Sequence, residues 1–254
     1  MDVIVQYFCR FGHLACFTSD VDMFVEVFTT DKKAELFGKL VKYNDTLSTP
    51  PTKALGLSIS LSKIKQQLLL GDMFKSSASD VEDSCAQMFE MYCKNLPLSK
   101  GFDPQESMHG EELLSITCNI LVQLFWCTKN VGYLVEAVMV MEFGLSIRRY
   151  VSQYKILLLH LYCHFGALSV AHEWYKSLDI KNILAESMLH HILPQMLVSP
   201  LWSELNGLLK DYLKFMDDHF RESADLTSLA YHHKNYSKVC ILESLLLLET
   251  ILLN

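Results

Sequence analysis

Two segments set 34 residues apart carry the same pattern of small and large side chains. Gly132, Leu134, Ala137 and Met141 in VGYLVEAVMVMEFG align with Gly166, Leu168, Ala171 and Tyr175 in FGALSVAHEWYKSL, and Leu124 with Leu158 extends the match upstream. A period of that length marks a helix–turn–helix unit. One such unit cannot bury its own apolar face, so units stack into a continuous core with a long surface. The expectation is an all-α chain with an extended binding surface, and not an enclosed pocket.

The register can be checked against the tetratricopeptide repeat. With Gly166 at the turn between helices, Leu158 and Tyr162 fall in the first helix, and Ala171 and Tyr175 in the second. A small residue at Ala137 and Ala171 lets paired helices approach to about 8 Å. Lys155 stands where Trp is usual and Leu159 where Gly or Ala is usual, so the repeat is degenerate. The predicted architecture is a tetratricopeptide-like helical-repeat solenoid.

Six prolines and ten glycines leave few interruptions, and apolar residues recur at steps of three and four. Residues 1–43 read as three short helices, with breaks at FTSD, where Thr18 to Asp20 offer caps, and at TTD. NDTLSTPPT, residues 44–52, reads as a linker. In LSISLSKI the leucines and isoleucine alternate with serines, a strand signal. Yet Leu57, Leu61, Ile64 and Leu68 form one helical stripe, and no second strand is nearby, so a helix is expected. Ser79 with Glu82 has the capping-box spacing. A loop follows at about residues 95–109. The stripe Leu113, Ile116, Ile120, Leu124 and Cys127 then opens a helix series, continuing near 133–149, 151–165, 167–178 and 181–193, the last stopped by Pro194. Ser199–Pro200 reads as an N-cap with Pro at the first helical position. It starts an amphipathic helix with Leu201, Leu205, Leu208, Tyr212 and Phe215 on one side, then His219 beside Phe220. A further helix is expected after Glu222 and a last one in the tail. The predicted divisions are 1–95, an N-terminal helical segment; 111–239, the repeat-like region; and 240–254, a divergent apolar tail.

The composition narrows the function classes. Half of the 254 residues are hydrophobic, and the mean hydropathy of +0.19 suits a helical interior or a face meant for a partner. A net charge of −7 argues against direct DNA binding, which needs a basic footprint. The basic spots Lys32–Lys33, Lys63, Lys65 and Arg148–Arg149 read as solvated helix faces. The eight cysteines Cys9, Cys16, Cys85, Cys93, Cys118, Cys127, Cys163 and Cys240 show no C-x-x-C spacing and sit mostly in apolar runs. They read as reduced and buried, in a cytoplasmic protein. No apolar run reaches the ~18 residues of a membrane span, and no targeting segment is recognisable at the start.

The chemistry-bearing patterns are thin. No two glycines lie two residues apart and none lie five apart, which excludes G-x-G fingerprints, P-loops and the Gly-rich turn of acetyl-CoA-binding transferases. G-x-S-x-G and H-E-x-x-H are absent. HLYCH sets His160 and His164 one turn apart around Cys163, with His172 nearby. No carboxylate completes a metalloprotease pattern, and these read as core or groove-edge histidines. The adjacent pairs His190–His191 and His232–His233 face apart on a helix. Asp211, Asp217, Asp218, Glu222 and Asp225 read as a solvated acidic face, not a desolvated acid/base pair. Phe125, Trp126, Phe143, Tyr150, Tyr154, Tyr162, Trp174 and Tyr175 read mainly as core, a minority lining the concave face. No catalytic, cofactor-binding or metal residue is assigned.

Long strings carry a resemblance. CKNLPLSK, DPQES, GEELLS, VQLFW, FGLSIRRYVSQYKILLLHLYCHFGALSVAHEWYKSLDIKNIL, HHILPQMLVSPLW and LLKDYLKFMDDHFRESADLTSLAYHHKNYSKV resemble the auxiliary subunit of the N-terminal acetyltransferase B (NatB) complex, in its plant form, over roughly residues 1–239. The resemblance implies a non-enzymatic, tetratricopeptide-like scaffold that wraps a separate catalytic subunit and places it near the ribosome exit. That partner acetylates nascent chains beginning Met-Asp, Met-Glu, Met-Asn or Met-Gln. It implies no catalytic residue and no acetyl-CoA site here. The family chain is several times longer, so this one looks like a part of its later portion, with Met1 at an internal position. CILESLLLLETILLN does not look like the family's more polar continuation after Lys238, and resembles a truncated or mis-spliced end. The alternatives are a general helical-repeat adaptor with another partner, and an enzyme with an unrecognised helical site.

Overall fold

The computed structural model describes residues 1–72, 78–103, 106, 108–178, 180 and 188–240, with the side chains of 69–72 and 219–224 excepted. Every regular element among them is helical. They are α1 (Asp2–Phe11), α2 (Phe17–Glu26), α3 (Thr30–Thr46), α4 (Pro51–Asp72), α5 (Ala78–Asn95), α6 (Glu111–Thr128), α7 (Gly132–Ile147), α8 (Ser152–His164), α9 (Leu168–Ser177), α10 (Leu193–Leu197) and α11 (Trp202–His232), with a 3₁₀ turn at Leu96–Ser99. No described helix is long and apolar enough to cross a membrane. The chain forms two compact units, Met1–Leu161 and Tyr162–Asn254.

In the first unit, α1 to α4 close around Phe8, Phe17, Leu36, Leu40, Leu57 and Ile64. Phe8 meets Phe17 edge-on, with centroids 5.3 Å apart. The strand-like alternation of LSISLSKI is helical in α4 for a local reason. Ser58 Oγ donates to Ala54 O at 3.0 Å and Ser62 Oγ to Ser58 O at 2.9 Å. The serines thereby satisfy themselves on their own helix. The other side of that helix is free to bury Leu57 and Ile64, with Leu61 and Leu68 packed beside them.

α6 is the axis of the rest of the unit, packed by α4, α5 and α7. All six residues Leu113–Cys118 are buried, as are Ile120, Leu121, Leu124 and Phe125. Cys127, assigned to the same stripe, is exposed in the last turn. On α7 the buried line is Leu134, Ala137, Met141, Gly144 and Leu145. Gly144 marks a close approach of three helices: a Cβ there would lie 2.7 Å from Tyr154 Cε2 on α8 and 3.0 Å from Leu114 Cδ1 on α6.

The 34-residue register holds for side chains and shifts for the backbone. Ala137, Ala171 and Met141 are fully buried, and Tyr175 is buried to 9% exposure. At the end of α8, Gly166 (φ +73°) donates to Cys163 O at 3.1 Å and Ala167 to Tyr162 O at 2.9 Å. That is a Schellman stop, for which glycine is the low-cost residue. Before α7 the left-handed residue is Lys129 (φ 59°), not Gly132, which begins the helix and donates to Asn130 Oδ1 at 3.0 Å.

Several boundaries differ from the sequence reading. The first break falls at residues 12–16, because Thr18 is buried and Ser19 Oγ bonds back to Cys16 O at 2.8 Å. Ser79 lies inside α5, and Glu82 accepts a hydrogen bond from Tyr133. In the second unit Pro194 opens α10 instead of ending a helix. The segment 181–187 lies outside the described residues. α11 starts at Trp202, and Ser199 Oγ accepts from Leu201 N at 3.3 Å. α11 then runs to His232 with no break after Glu222. Leu205 and Leu208 are buried, while Tyr212 and Phe215 are half-buried. The side chains of His219, Phe220 and Glu222, and the whole of 241–254, lie outside the described residues.

Candidate partner-binding surface

The basic spots separate into different roles. Arg148 is buried, against expectation. Its Nε pairs with Glu111 Oε1 at 3.0 Å, its Nη2 donates to Glu106 O, and its Nη1 to Asp103 O at 3.4 Å. Glu111 Oε1 also accepts from Met108 N at 3.1 Å, and Tyr154 OH donates to Glu111 O at 2.6 Å. This clamp fixes the loop before α6 to α7 and α8. Lys63 pairs with Glu112 at 2.6 Å and Lys65 donates to Ser84 Oγ at 2.8 Å. These three cations are structural.

The chemistry-bearing residues do not converge. His160 and His164 are exposed, not core, and only His172 is buried. Among the described residues no three His, Cys, Asp or Glu side chains stand close enough to hold a metal ion. Asp211, Asp217, Asp218 and Asp225 are exposed on α11. All eight cysteines are unbridged; Cys85 and Cys118 are buried, while Cys16, Cys127 and Cys240 are exposed. Of the aromatics, Tyr154, Phe125 and Tyr175 are core, whereas Trp126 and Tyr150 are exposed.

The first unit instead presents two open apolar grooves. One, of 570 Å³, lies between α1 and α2, where Val3, Phe24 and Val27 stand in water beside Ile4 and Val21. The other, of 410 Å³, lies between α5 and α7 over α6. Its floor is Thr117 and Leu121 from α6. Cys85, Ala86 and Phe89 form one wall, and Met139, Val140 and Phe143 the other. Phe89 and Phe143 meet with centroids 5.1 Å apart. Tyr133 OH on α7 reaches Glu82 Oε1 on α5 at 2.5 Å and ties the walls together. Burial pushes the Cys85 thiol up to about 12, helped by the nearby Glu136 and Glu82 carboxylates. That hydrogen bond to Glu82, then desolvation, raises the Tyr133 phenol.

The sequence did not point to Phe89, Met139 or Val140 as a surface. α7 is apolar on almost every side, so its periodicity does not say which face its neighbours leave open.

A family model described as the N-acetyltransferase B complex (NatB) non catalytic subunit matches residues 1–245. This chain belongs to that family. The N-terminal acetyltransferase B complex auxiliary subunit NAA25 of Arabidopsis thaliana is 56% identical over 239 residues, 94% of this chain and 22% of the relative. The phagocyte signaling-impaired protein of Drosophila pseudoobscura pseudoobscura is 23% identical over 252 residues, and the NatB auxiliary subunit N-alpha-acetyltransferase 25 of Mus musculus 20% identical over 245. Each alignment covers 94% of this chain and 25% of the relative. The chain thus spans about a quarter or less of the relatives it matches. The family is defined as non-catalytic, which agrees with reading the chain as an auxiliary subunit and not an enzyme.

Proposed function

We propose that this chain is a scaffold segment that holds the catalytic acetyltransferase of the NatB complex and supplies no chemistry itself. The observation that carries the reading is the family match across residues 1–245. The packed helices with open apolar grooves support it, because such a surface suits an extended protein contact better than an enclosed substrate. In this reading the partner, held near the ribosome exit in the cytoplasm, acetylates nascent chains that begin Met-Asp, Met-Glu, Met-Asn or Met-Gln. Co-expression with the catalytic subunit tests the binding step. Co-elution of the two chains at one-to-one stoichiometry supports it. Separate elution of two folded chains contradicts it.

A further inference from the structure

We infer that the groove between α5 and α7 is a docking site for a cationic amphipathic helix of a partner protein. Its lining runs from Glu82 to Phe89 on α5 and from Glu136 to Phe143 on α7. At 1.5 Å per residue each wall is about 10 Å long, two helical turns. A helix laid between them presents its apolar face at i, i+3, i+4 and i+7, the mode by which helices enter grooves.

Two further observations fix the chemistry of the occupant. The rim is apolar where it should be polar: Val135 and Met139, one turn apart on α7, are 47% and 64% exposed. Among the described residues, both charged side chains of the groove's lining are acidic. Glu82 and Glu136 are the ionisable groups flanking the lining, apart from the buried Cys85 thiol. α6 and α7 contain no lysine or arginine at all. The lysine of α5, Lys94, is paired with Glu90 at 2.8 Å. Lys65, which reaches α5 from α4, donates to the neutral Ser84 hydroxyl at 2.8 Å and keeps its charge, which opposes that of Glu136 and Glu82 at Cys85. A low-dielectric trough flanked by two carboxylates against one ammonium is net negative and repels an acidic helix or a nucleic-acid backbone. It attracts a helix whose apolar stripe is flanked by Lys or Arg. The inference does not depend on which protein supplies that helix, so it stands apart from the scaffold reading.

The probe is a fluorescein-labelled synthetic helix of about 15 residues with Leu at i, i+3, i+4 and i+7 and Lys elsewhere; its twin carries Glu for Lys. Fluorescence anisotropy with the whole chain is expected to show saturable binding of the Lys peptide and none of the Glu peptide. The double variant Met139→Lys/Glu136→Lys alters only exposed side chains, and circular dichroism verifies its fold. It is expected to weaken binding by roughly tenfold or more, since like charge then faces like charge. Asp31→Lys, on the exposed part of α3, removes the same kind of charge elsewhere and is expected to change affinity by less than about twofold. A benzophenone in place of one leucine locates the peptide independently of any variant. Adducts within 82–89 or 136–143 support the site. Unsaturable binding, equal affinity for the double variant, or adducts confined to the acidic side of α11 overturns it.

Discussion

Gly144→Ala is the sharpest test of the packing, because local propensity and tertiary contact predict opposite signs. In a helix interior, Gly→Ala stabilises by about 1 kcal/mol through backbone entropy. At Gly144 the new Cβ would sit 2.7 Å from Tyr154 Cε2 and 3.0 Å from Leu114 Cδ1. Carbon atoms pack best about 3.5–4.0 Å apart. Both neighbours are fully buried, and Tyr154 is pinned by its hydroxyl bond to Glu111 O at 2.6 Å. Overpacking of this kind costs about 1–3 kcal/mol, so the net expectation is a loss of about 1 kcal/mol. Gly38→Ala on α3 is the control: its Cβ would meet nothing within 4 Å. It should gain about 1 kcal/mol. The two variants should therefore differ by about 2 kcal/mol, or about 4–8 °C in melting temperature for a chain of this size. Thermal and urea melts followed by circular dichroism measure both. If Gly144→Ala melts above wild type together with Gly38→Ala, the close approach of α6, α7 and α8 is refuted.

Other expectations follow from single sites. Ala137→Phe and Ala171→Phe, at two fully buried positions, should each cost about 1–3 kcal/mol from overpacking; an unchanged melt removes the equivalence of the two segments. Arg148→Met leaves Glu111 without its partner and frees the loop at Asp103 and Glu106. It should cost about 3–5 kcal/mol, and Arg148→Met/Glu111→Met should recover part of that in the same denaturation assay. Burial, with a smaller push from Lys176, lowers the His172 pKa below its ordinary 6.5, outweighing Glu204 and Glu173. The unfolded chain then binds more protons than the folded one as pH falls below about 6.5. Stability should be full above that pH and decline beneath it, and His172→Gln should flatten that part of the urea-midpoint profile.

What was legible in the sequence was whatever depended on local pattern. Scarce Gly and Pro with three-and-four spacing were enough for α3, α6, α7, α8 and α9, and the stripe Leu57, Leu61, Ile64, Leu68 decided α4 against its serine alternation. The boundaries misplaced at the starts of α2 and α5 share one cause: polar residues that look like caps are used elsewhere. Asp20 accepts from Tyr7 OH at 2.7 Å, and Glu82 accepts from Tyr133 OH. Pro194 reads as a stop in the sequence, although proline is equally at home in a first turn. Arg148 reads as solvated in the sequence because its partners, Glu111 and two loop carbonyls, are remote along the chain. The α5–α7 groove was hidden for a related reason. Which side of an apolar helix stays open is decided by its neighbours, not by its own residues. The family resemblance, by contrast, was carried by long strings such as FGLSIRRYVSQYKILLLHLYCHFGALSVAHEWYKSL and needed no fold.

The central claim is that this chain contributes a surface and no chemistry. Calorimetry with acetyl-CoA, run beside an acetylation assay on a Met-Asp peptide, tests it most directly. The isolated chain is predicted to bind no acetyl-CoA and to turn over no peptide, because no pair of closely spaced glycines offers backbone N–H groups to the pyrophosphate. Added to the catalytic acetyltransferase, it is predicted to bind that subunit without supplying any group that reacts. Micromolar acetyl-CoA binding, or turnover by the isolated chain, contradicts the account.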